Sequence, residues 1–466
     1  MYTQKNALHF VLVGLLFGLG ITVAILGVMK AQASTVTVSA APDPLDPSFG
    51  ADGRVMIPIT GSNQIARDVA IQPDGKLIIA GYTNWLPSSG GTNYDAVMAR
   101  VNPDGSLDMS FGISGVVTTA FSSGNDTIYA IAFQPDGKII AAGYISHSTN
   151  IAASVMRYNP DGSLDTSFGQ NGTVSVLLSS PVPSWFLGVA VLDDGRILAS
   201  GSAKTSPDTF LLARFQPNGT PDSMFGNNGV VTTTFPGGDA NSWDLALQPD
   251  GKIILAGFFR PASGATDFAL ARYNADGTLD TGFGVSGRVV QSVGAGGDYA
   301  YGVNVQSSGK IIAGGISSDF GSTLLRYNAD GSLDTSFGPN PALNYVTTTI
   351  PGYASTSFIE TALQADDGIV AATRAGSGSP PIVAVTVFTP DGRPNEFYAP
   401  GGVLTATYET HALSSYALLV QPDDKVVLAG HVDVDDTSGY DYNLALWRFN
   451  LKGYVYLPLI ARDAAP

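Results

Sequence analysis

The stretch Asp68–Gly81, which reads DVAIQPDGKLIIAG, contains the unit that decides the fold. An alternating segment enters a Pro-Asp-Gly turn and an apolar segment leaves it. Proline presets φ, aspartate bonds its own backbone and glycine accepts a positive φ, so this tripeptide between apolar runs is typical of a β-hairpin. A second such turn follows in Arg100–Gly112, which reads RVNPDGSLDMSFG. Each turn is therefore predicted to join two short strands.

Both motifs recur along the whole chain. The fourth positions of the QPDGK motif and its degenerate forms lie 56 to 62 residues apart, at Gly75, Gly137, Gly195, Gly251, Gly309, Gly368 and Asp424. The aromatic residue of the second motif recurs at the same period, at Phe49, Phe111, Phe168, Phe225, Phe283, Phe337 and, in a degenerate copy, Phe397. These units predict an all-β fold, a seven-bladed β-propeller with four-stranded antiparallel blades. A solenoid is the alternative, but solenoids need capping repeats, and the sequence contains no recognisable one.

The first and last copies are incomplete in complementary ways. The segment Leu45–Ile59 carries an SFG motif and one predicted strand before any QPDGK, whereas the seventh copy ends with its third strand near Asn450. We therefore expect the N-terminal strand to join the last blade as its outer strand and close the ring.

A charged pair recurs in the second motif. Arginine on the third strand is followed eight residues later by aspartate, at Arg100 and Asp108, Arg157 and Asp165, Arg214 and Asp222, Arg272 and Asp280, and Arg326 and Asp334. The sixth copy has Val387 and Asn395 instead, so both partners change together. A guanidinium fork on a carboxylate stabilises a turn. Arg448 has no aspartate downstream, and we expect it to pair with Asp46 across the closure.

The LDxSFG…QPDGKIIxAG…RYNxDGSLD unit resembles the delta-60 repeat of bacterial exported and surface proteins, which is thought to form β-propeller blades. The resemblance covers about Leu45 to Asn450, nearly the whole chain after the N-terminal segment. It implies architecture and export, but no activity and no set of functional residues. The hairpin also gives the units a looser resemblance to NHL-type blades and streptogramin-lyase-like propellers.

The N-terminal segment is typical of an export signal. Ala7–Met29 is almost wholly apolar, it is flanked by Lys5 and Lys30, and Ala31-Gln32-Ala33 matches a signal-peptidase site. We expect a signal peptide over 1–33, a spacer over 34–44, the propeller over 45–453 and an apolar C-terminal tail over 454–466. An uncleaved membrane anchor is the alternative, because the apolar run is long enough to span a bilayer. Either way we expect an extracellular location, secreted or on the cell surface.

Composition excludes several function classes. The net charge of −16 disfavours nucleic-acid binding, and the absence of cysteine excludes disulfides, thiol catalysis and zinc–thiolate sites. No nucleophile elbow, P-loop or dinucleotide fingerprint occurs in the chain. The sequence therefore favours a monomeric binding or interaction module for polysaccharide or extracellular protein. A hydrolase or lyase active at the propeller channel, or a structural surface or adhesion component, remains the alternative.

The candidate binding residues belong to loops between strands two and three and between blades. Those loops share one face, where aromatic rings beside aspartates suit sugar or protein recognition. The candidates are Trp85, Tyr94, Trp185, Trp243, Phe259, Tyr299 and Tyr440. The alternative is that these rings only cap the blades.

A candidate Ca²⁺ site is the acidic loop with Asp433, Asp435 and Asp436, but it lacks an EF-hand pattern, and the sequence favours a solvated acidic loop over a metal site. We expect no other cofactor.

Overall fold

The structure is a computed structural model that describes residues 43–451 except 60–61, 86–92, 148–149, 177, 179–181, 341, 351–352, 354–355, 376–381, 408–412 and 435–441. The expected signal peptide (1–33), most of the expected spacer and the C-terminal tail (454–466) lie outside the described residues. Within the described part of the chain, no helix is both long and apolar enough to cross a membrane.

The described residues form seven four-stranded antiparallel sheets, which confirms the predicted seven-bladed propeller. The first strand in the chain is β1 (Arg54–Ile57). Blades 1 to 3 consist of β2 (Ser62–Ile71), β3 (Leu77–Trp85), β4 (Asn93–Val101), β5 (Val116–Thr119); β6 (Asp126–Phe133), β7 (Ile139–His147), β8 (Asn150–Tyr158), β9 (Thr173–Ser175); and β10 (Ser184–Val191), β11 (Ile197–Ala203), β12 (Thr209–Phe215), β13 (Val230–Thr233).

Blades 4 to 6 consist of β14 (Gly238–Leu247), β15 (Ile253–Pro261), β16 (Asp267–Tyr273), β17 (Arg288–Gln291); β18 (Asp298–Val305), β19 (Ile311–Ser317), β20 (Gly321–Tyr327), β21 (Val346–Thr348); and β22 (Thr356–Leu363), β23 (Ile369–Ala375), β24 (Val383–Phe388), β25 (Val403–Ala406). A short 3₁₀ helix, Pro400–Gly402, precedes β25. Blade 7 consists of β26 (Leu413–Val420), β27 (Lys425–Asp433), β28 (Tyr442–Asn450) and β1.

The first strands of the blades surround a central channel. Each contacts the first strand of the next blade, and β26 of blade 7 contacts β2 of blade 1. The outer strand of blade 7 is β1, which pairs antiparallel with β28 from Arg54 opposite Trp447 to Ile57 opposite Leu444. The first and last described strands of the chain thus lie in the same sheet.

The hydrophobic core is divided among the interfaces between neighbouring blades. The aromatic residue of the second motif is fully buried at six of the seven interfaces, at Phe49, Phe111, Phe168, Phe225, Phe283 and Phe337. Since one blade cannot cover its own apolar faces, the stability of each blade depends on both of its neighbours.

A charged cluster accompanies each of these phenylalanines, as blade 2 illustrates. Arg157 Nε donates to Asp165 Oδ2 at 2.8 Å, and Lys138 Nζ lies 2.9 Å from the same oxygen. The Arg157 guanidinium carbon lies 4.6 Å from the centroid of the Phe168 ring. Arg157 Nη1 also donates to Pro217 O of blade 3 at 2.6 Å. The cluster therefore closes one turn and joins two blades.

The lysine and the bond between blades were not predicted from the sequence. Arginine, aspartate and the basic residue of the QPDGK motif form the same cluster at Arg100, Asp108 and Lys76; Arg214, Asp222 and Arg196; Arg272, Asp280 and Lys252; and Arg326, Asp334 and Lys310. Blade 6 has Ile369, Val387 and Asn395 at the three positions. All three charges are absent together there, and Phe397, which has no guanidinium to stack on, is 54% exposed.

The corresponding cluster in blade 7 combines both ends of the described chain. Arg448 Nε donates to Asp46 Oδ2 at 2.9 Å, and Lys425 Nζ lies 3.1 Å from that oxygen. Arg448 Nη1 donates to Pro103 O of blade 1 at 2.6 Å. Burial by itself would raise the pKa of Asp46, but hydrogen bonds from Ser48 and Lys425 and the charge of Arg448 lower it to about 2. The carboxylate is therefore ionised throughout the physiological range.

We predict that Arg157→Val lowers the free energy of unfolding by about 3–5 kcal/mol, because it leaves the buried carboxylate of Asp165 without its arginine partner. The triple variant Lys138→Ile, Arg157→Val, Asp165→Asn copies blade 6 and should recover at least half of that loss. Urea unfolding measures both. Arg393→Val is the control, since Arg393 pairs with Asp391 on the exposed surface and should cost less than about 1 kcal/mol. A triple variant less stable than Arg157→Val would contradict this account.

Candidate functional site

A β-bulge interrupts the first strand of every blade. In blade 1 the register between β2 and β3 shifts between Ala66 and Asp68, so Arg67 is the extra residue. The glycine of the Ala-Gly pair in strand two lies opposite. A Cβ added to Gly81 would lie 1.9 Å from Ile65 O, which no side chain can tolerate. The bulge therefore brings the first strand so close to the second that glycine is required at position 81.

The bulge selects the side chains that reach the channel. The extra residues of blades 1 to 7 are Arg67, Tyr129, Leu187, Trp243, Tyr301, Ile359 and Tyr416. Arg67, Tyr129, Leu187, Trp243, Tyr301 and Tyr416 line one cavity of about 540 Å³, together with Asp68, Ala130, Gly188, Val189, Asp244 and Glu360. Residues from all seven repeats thus converge on one concave surface, which we take as the candidate site.

One wall of this cavity is an aromatic stack from blades 4 and 5. The rings of Trp243 and Tyr301 lie 4.4 Å apart between centroids and are inclined by 11°. Tyr299 stacks on Trp243 at 6.0 Å and 20°, and Phe258 contacts both rings by its edge at 5.2 Å. Because each ring is held by at least two others, the wall presents a rigid apolar surface.

The opposite wall is formed by tyrosines around Arg67. The guanidinium carbon lies 5.3 Å from the ring centroid of Tyr82, 5.4 Å from that of Tyr129 and 4.7 Å from that of Tyr416. Arg67 Nη2 also donates to Tyr82 Oη at 2.8 Å. Cation–π contacts therefore hold the arginine in the channel.

Three carboxyl groups follow bulge residues in blades 1, 4 and 6. Asp68 Oδ2 accepts from Ile131 N of blade 2 at 2.7 Å, and Asp244 Oδ2 accepts from Val303 N of blade 5 at 2.8 Å. Glu360 Oε2 accepts from Leu418 N of blade 7 at 2.6 Å. Each group therefore joins its blade to the next while lining the cavity.

The channel environment raises the pKa of all three carboxyl groups. Burial is the main cause, and it raises the pKa of Asp244 to about 7 and that of Asp68 to about 6. Burial together with the negative charges of Asp68 and Asp244 raises the pKa of Glu360 well above its usual range. Near neutral pH a protonated carboxyl in this cavity can donate a hydrogen bond, and an ionised one can accept a proton.

The residues expected from the sequence to form a binding face lie in several environments. Trp243 lines the cavity, and Tyr299 stacks on it but is not among the residues that line the cavity. Tyr94 contacts Tyr82 with 5.1 Å between ring centroids. Trp185 is partly exposed, lies 5.9 Å from Lys204 Nζ and does not line the cavity. Phe259 is a correction: it is 8% exposed and stacks on Phe235 in the core between blades, so it is not available to a ligand.

The remaining candidates are only partly described. Trp85 ends β3, but its side chain lies outside the description, as do Tyr440, Asp435 and Asp436. Asp433 ends β27. Among the described residues, no three histidine, aspartate or glutamate side chains are grouped closely enough to hold a metal ion.

Sequence reasoning missed Arg67, the three channel acids and two tyrosines of the bulges, Tyr129 and Tyr416. Two signals mark them. The Ala-Gly pair locates the bulge in strand one, and Glu360 is one of three glutamates in the chain, within the largely apolar strand β22.

A larger cavity of about 1020 Å³ lies at the Pro-Asp-Gly turns, on the other face. Two of its polar side chains already serve the fold, because Asp104 accepts from Ser106 N within its own turn and Arg448 is paired with Asp46. We therefore place the candidate site in the channel cavity.

The raised pKa of Asp244 predicts a pH dependence of stability. The folded-state pKa of about 7 exceeds the unfolded value of 3.8, so the folded chain binds more protons and loses stability as pH rises through that window. Asp244→Asn keeps an oxygen acceptor for Val303 N and cannot ionise. We expect the variant to be more stable than the wild type at pH 8 by about 1–3 kcal/mol, since the carboxyl is partly open to the channel, and equal to it at pH 4.

The measurement is urea unfolding at both pH values. Asp250→Asn is the control, because Asp250 lies in an exposed Pro-Asp-Gly turn. A variant less stable than the wild type at pH 8 would show that the ionised carboxylate stabilises the channel.

Comparisons with known proteins agree with this architecture. Five segments, 72–111, 134–168, 192–225, 248–283 and 306–337, match a family described as a β-propeller domain of unknown function, DUF5122. The search of curated proteins finds no match.

Solved structures give the same fold at low sequence identity. A structure described as a polysaccharide lyase of a new family, PL25 ulvan lyase, is 12% identical with a TM-score of 0.50, covering 87% of this chain and all (100%) of its own. Virginiamycin B lyase from Staphylococcus aureus is 10% identical with a TM-score of 0.49, covering 84% and 98%. At such identities the likeness concerns the fold alone. The chain is therefore a β-propeller repeat protein.

Proposed function

We propose that this protein is a secreted or cell-surface module that binds polysaccharide in the channel cavity. The observation that carries the proposal is the stacked pair Trp243 and Tyr301, held by Tyr299, beside carboxyl and phenol groups in one cavity. Pyranose rings stack their flat C–H faces on aromatic rings, while their hydroxyls need nearby hydrogen-bonding groups.

The shape of the site favours polysaccharide over a protein partner. A cavity of about 540 Å³ accommodates a few sugar units. A stable protein complex usually buries about 800 Å² on each partner, over a broader surface. A polysaccharide that places a few of its sugar units in the channel fits this concave site better than a broad protein surface does.

The extracellular location is part of the proposal. The apolar segment Ala7–Met29 with its small-residue cleavage pattern, and the resemblance of the units to delta-60 repeats, support export. The acidic net charge disfavours binding of nucleic acid, and a chain without cysteine has no thiol for catalysis.

A hydrolase or lyase acting at the same cavity is the second candidate. Asp244, with a pKa of about 7, is suited to exchange a proton near neutral pH, and Glu360 and Asp68 lie in the same cavity. The fold is compatible with either activity, because function resides in the site and not in the scaffold.

We predict that Trp243→Ala weakens binding of an oligosaccharide ligand, selected on a glycan array, at least tenfold, because the variant removes the centre of the aromatic wall. Isothermal titration calorimetry of the purified mature chain measures the change. Trp185→Ala is the matched control and should leave affinity unchanged, since Trp185 lies outside the cavity. Loss of affinity in the control variant with retention in Trp243→Ala would place the ligand elsewhere.

The enzyme alternative is tested on the same ligand. Incubation with the wild type should yield no new reducing ends and no absorbance from an unsaturated product. Product that appears with the wild type and disappears with Glu360→Gln or Asp244→Asn would instead establish a hydrolase or a lyase.

A further inference from the structure

Arg67 differs from the arginines of the charged clusters because it has no carboxylate partner. Its sequence neighbour Asp68 uses Oδ1 to accept from Val69 N and Oδ2 to accept from Ile131 N. In the described part of the chain, no carboxylate oxygen lies within 4.0 Å of the Arg67 guanidinium. A positive charge inside the protein without a counter-charge is costly, so its presence in a cavity indicates a role toward a ligand.

The hydrogen bonding of this guanidinium is also incomplete. Nη2 donates to Tyr82 Oη, but Nε is buried and has no acceptor. A buried donor without a partner costs about 1–3 kcal/mol. Tyr82, Tyr129 and Tyr416 contact the group through their rings, and ring contacts do not satisfy its N–H donors. An oxyanion in the guanidinium plane would supply both the missing charge and the missing acceptor.

We infer that the polysaccharide is acidic and that Arg67 binds its carboxylate or sulfate groups. This inference rests on the proposed function, because it concerns the same cavity. Arg67 and the Trp243–Tyr301 stack line that cavity from blades on different sides of the channel, so one sugar unit can stack while an anionic group meets the guanidinium.

The other ionisable groups facing the cavity set a pH dependence for this binding. They are Asp68, Asp244 and Glu360, with the phenols of Tyr129, Tyr301 and Tyr416. Ionised carboxylates repel an anionic ligand, whereas protonated ones do not repel it and can donate to its oxygens. Binding of the acidic ligand should therefore strengthen several-fold between pH 8 and pH 5.5, and binding of a neutral analogue should change less.

The test compares matched saccharides by calorimetry with the full mature chain. One pair is hexagalacturonate and its methyl ester, and the other is a sulfated galactan oligosaccharide and its desulfated form. We expect the wild type to bind at least one acidic member at least tenfold more tightly than its neutral counterpart. The pair that shows the preference identifies carboxylate or sulfate.

The variants assign that preference to Arg67. Arg67→Gln should reduce it to twofold or less while binding of the neutral member falls less than threefold, and Arg67→Lys should restore part of it. Arg393→Gln removes the same charge from an exposed arginine at a turn and should leave the preference intact. Equal binding of acidic and neutral members, or a preference that survives Arg67→Gln, would overturn the inference and leave the proposed function standing. Binding of none of the four saccharides would contradict the proposed function itself.

Discussion

The β-bulge in the first strand of each blade is the constraint on which the channel depends. It adds one residue to the strand and brings that strand against the second strand so closely that only glycine fits in most blades. The extra residue and the one after it then reach the channel. The bulge is repeated in every blade, but the extra residue that it adds varies between blades. The channel therefore receives side chains of different kinds from the same backbone position. Arg67, Trp243 and Tyr301 occupy equivalent positions with different chemistry.

The propeller uses carboxyl groups in two opposite ways. At the Pro-Asp-Gly turns, aspartates such as Asp165 have lowered pKa values, because hydrogen bonds from Ser167 and Lys138 and the charge of Arg157 outweigh burial. In the channel, Asp244 and Glu360 lack cationic partners within the described residues, and burial raises their pKa values. Of these two sets, only the channel carboxyl groups bond directly to the next blade in the described part of the chain, and only they can change protonation near neutral pH. The permanently ionised carboxylates thus lie near the turns, and the carboxyl groups that can exchange a proton lie in the channel.

The fold could be predicted from the sequence because the motifs repeat at a regular spacing, and each repeat corresponds to one blade. Pro-Asp-Gly turns at a regular spacing determine strand number and order, and the shared change at Val387 and Asn395 revealed which charges pair. The site was predicted only in part. Trp243 and Tyr299 were recognised as aromatic residues near loops, but the position of a side chain around a ring cannot be read from a linear spacing. Phe259 shows the limit, because one step along β15 separates a ring in the core between blades from Phe258, whose ring packs against Trp243.

The central claim is that residues from the bulges of different blades form one saccharide site in the channel. A crystal structure of the mature chain with its best-binding oligosaccharide tests this most directly. The account predicts a sugar ring against Trp243 or Tyr301 and an anionic group in hydrogen-bond contact with Arg67. A saccharide bound at the turns, or on the outer strands of the blades with the channel empty, would contradict it.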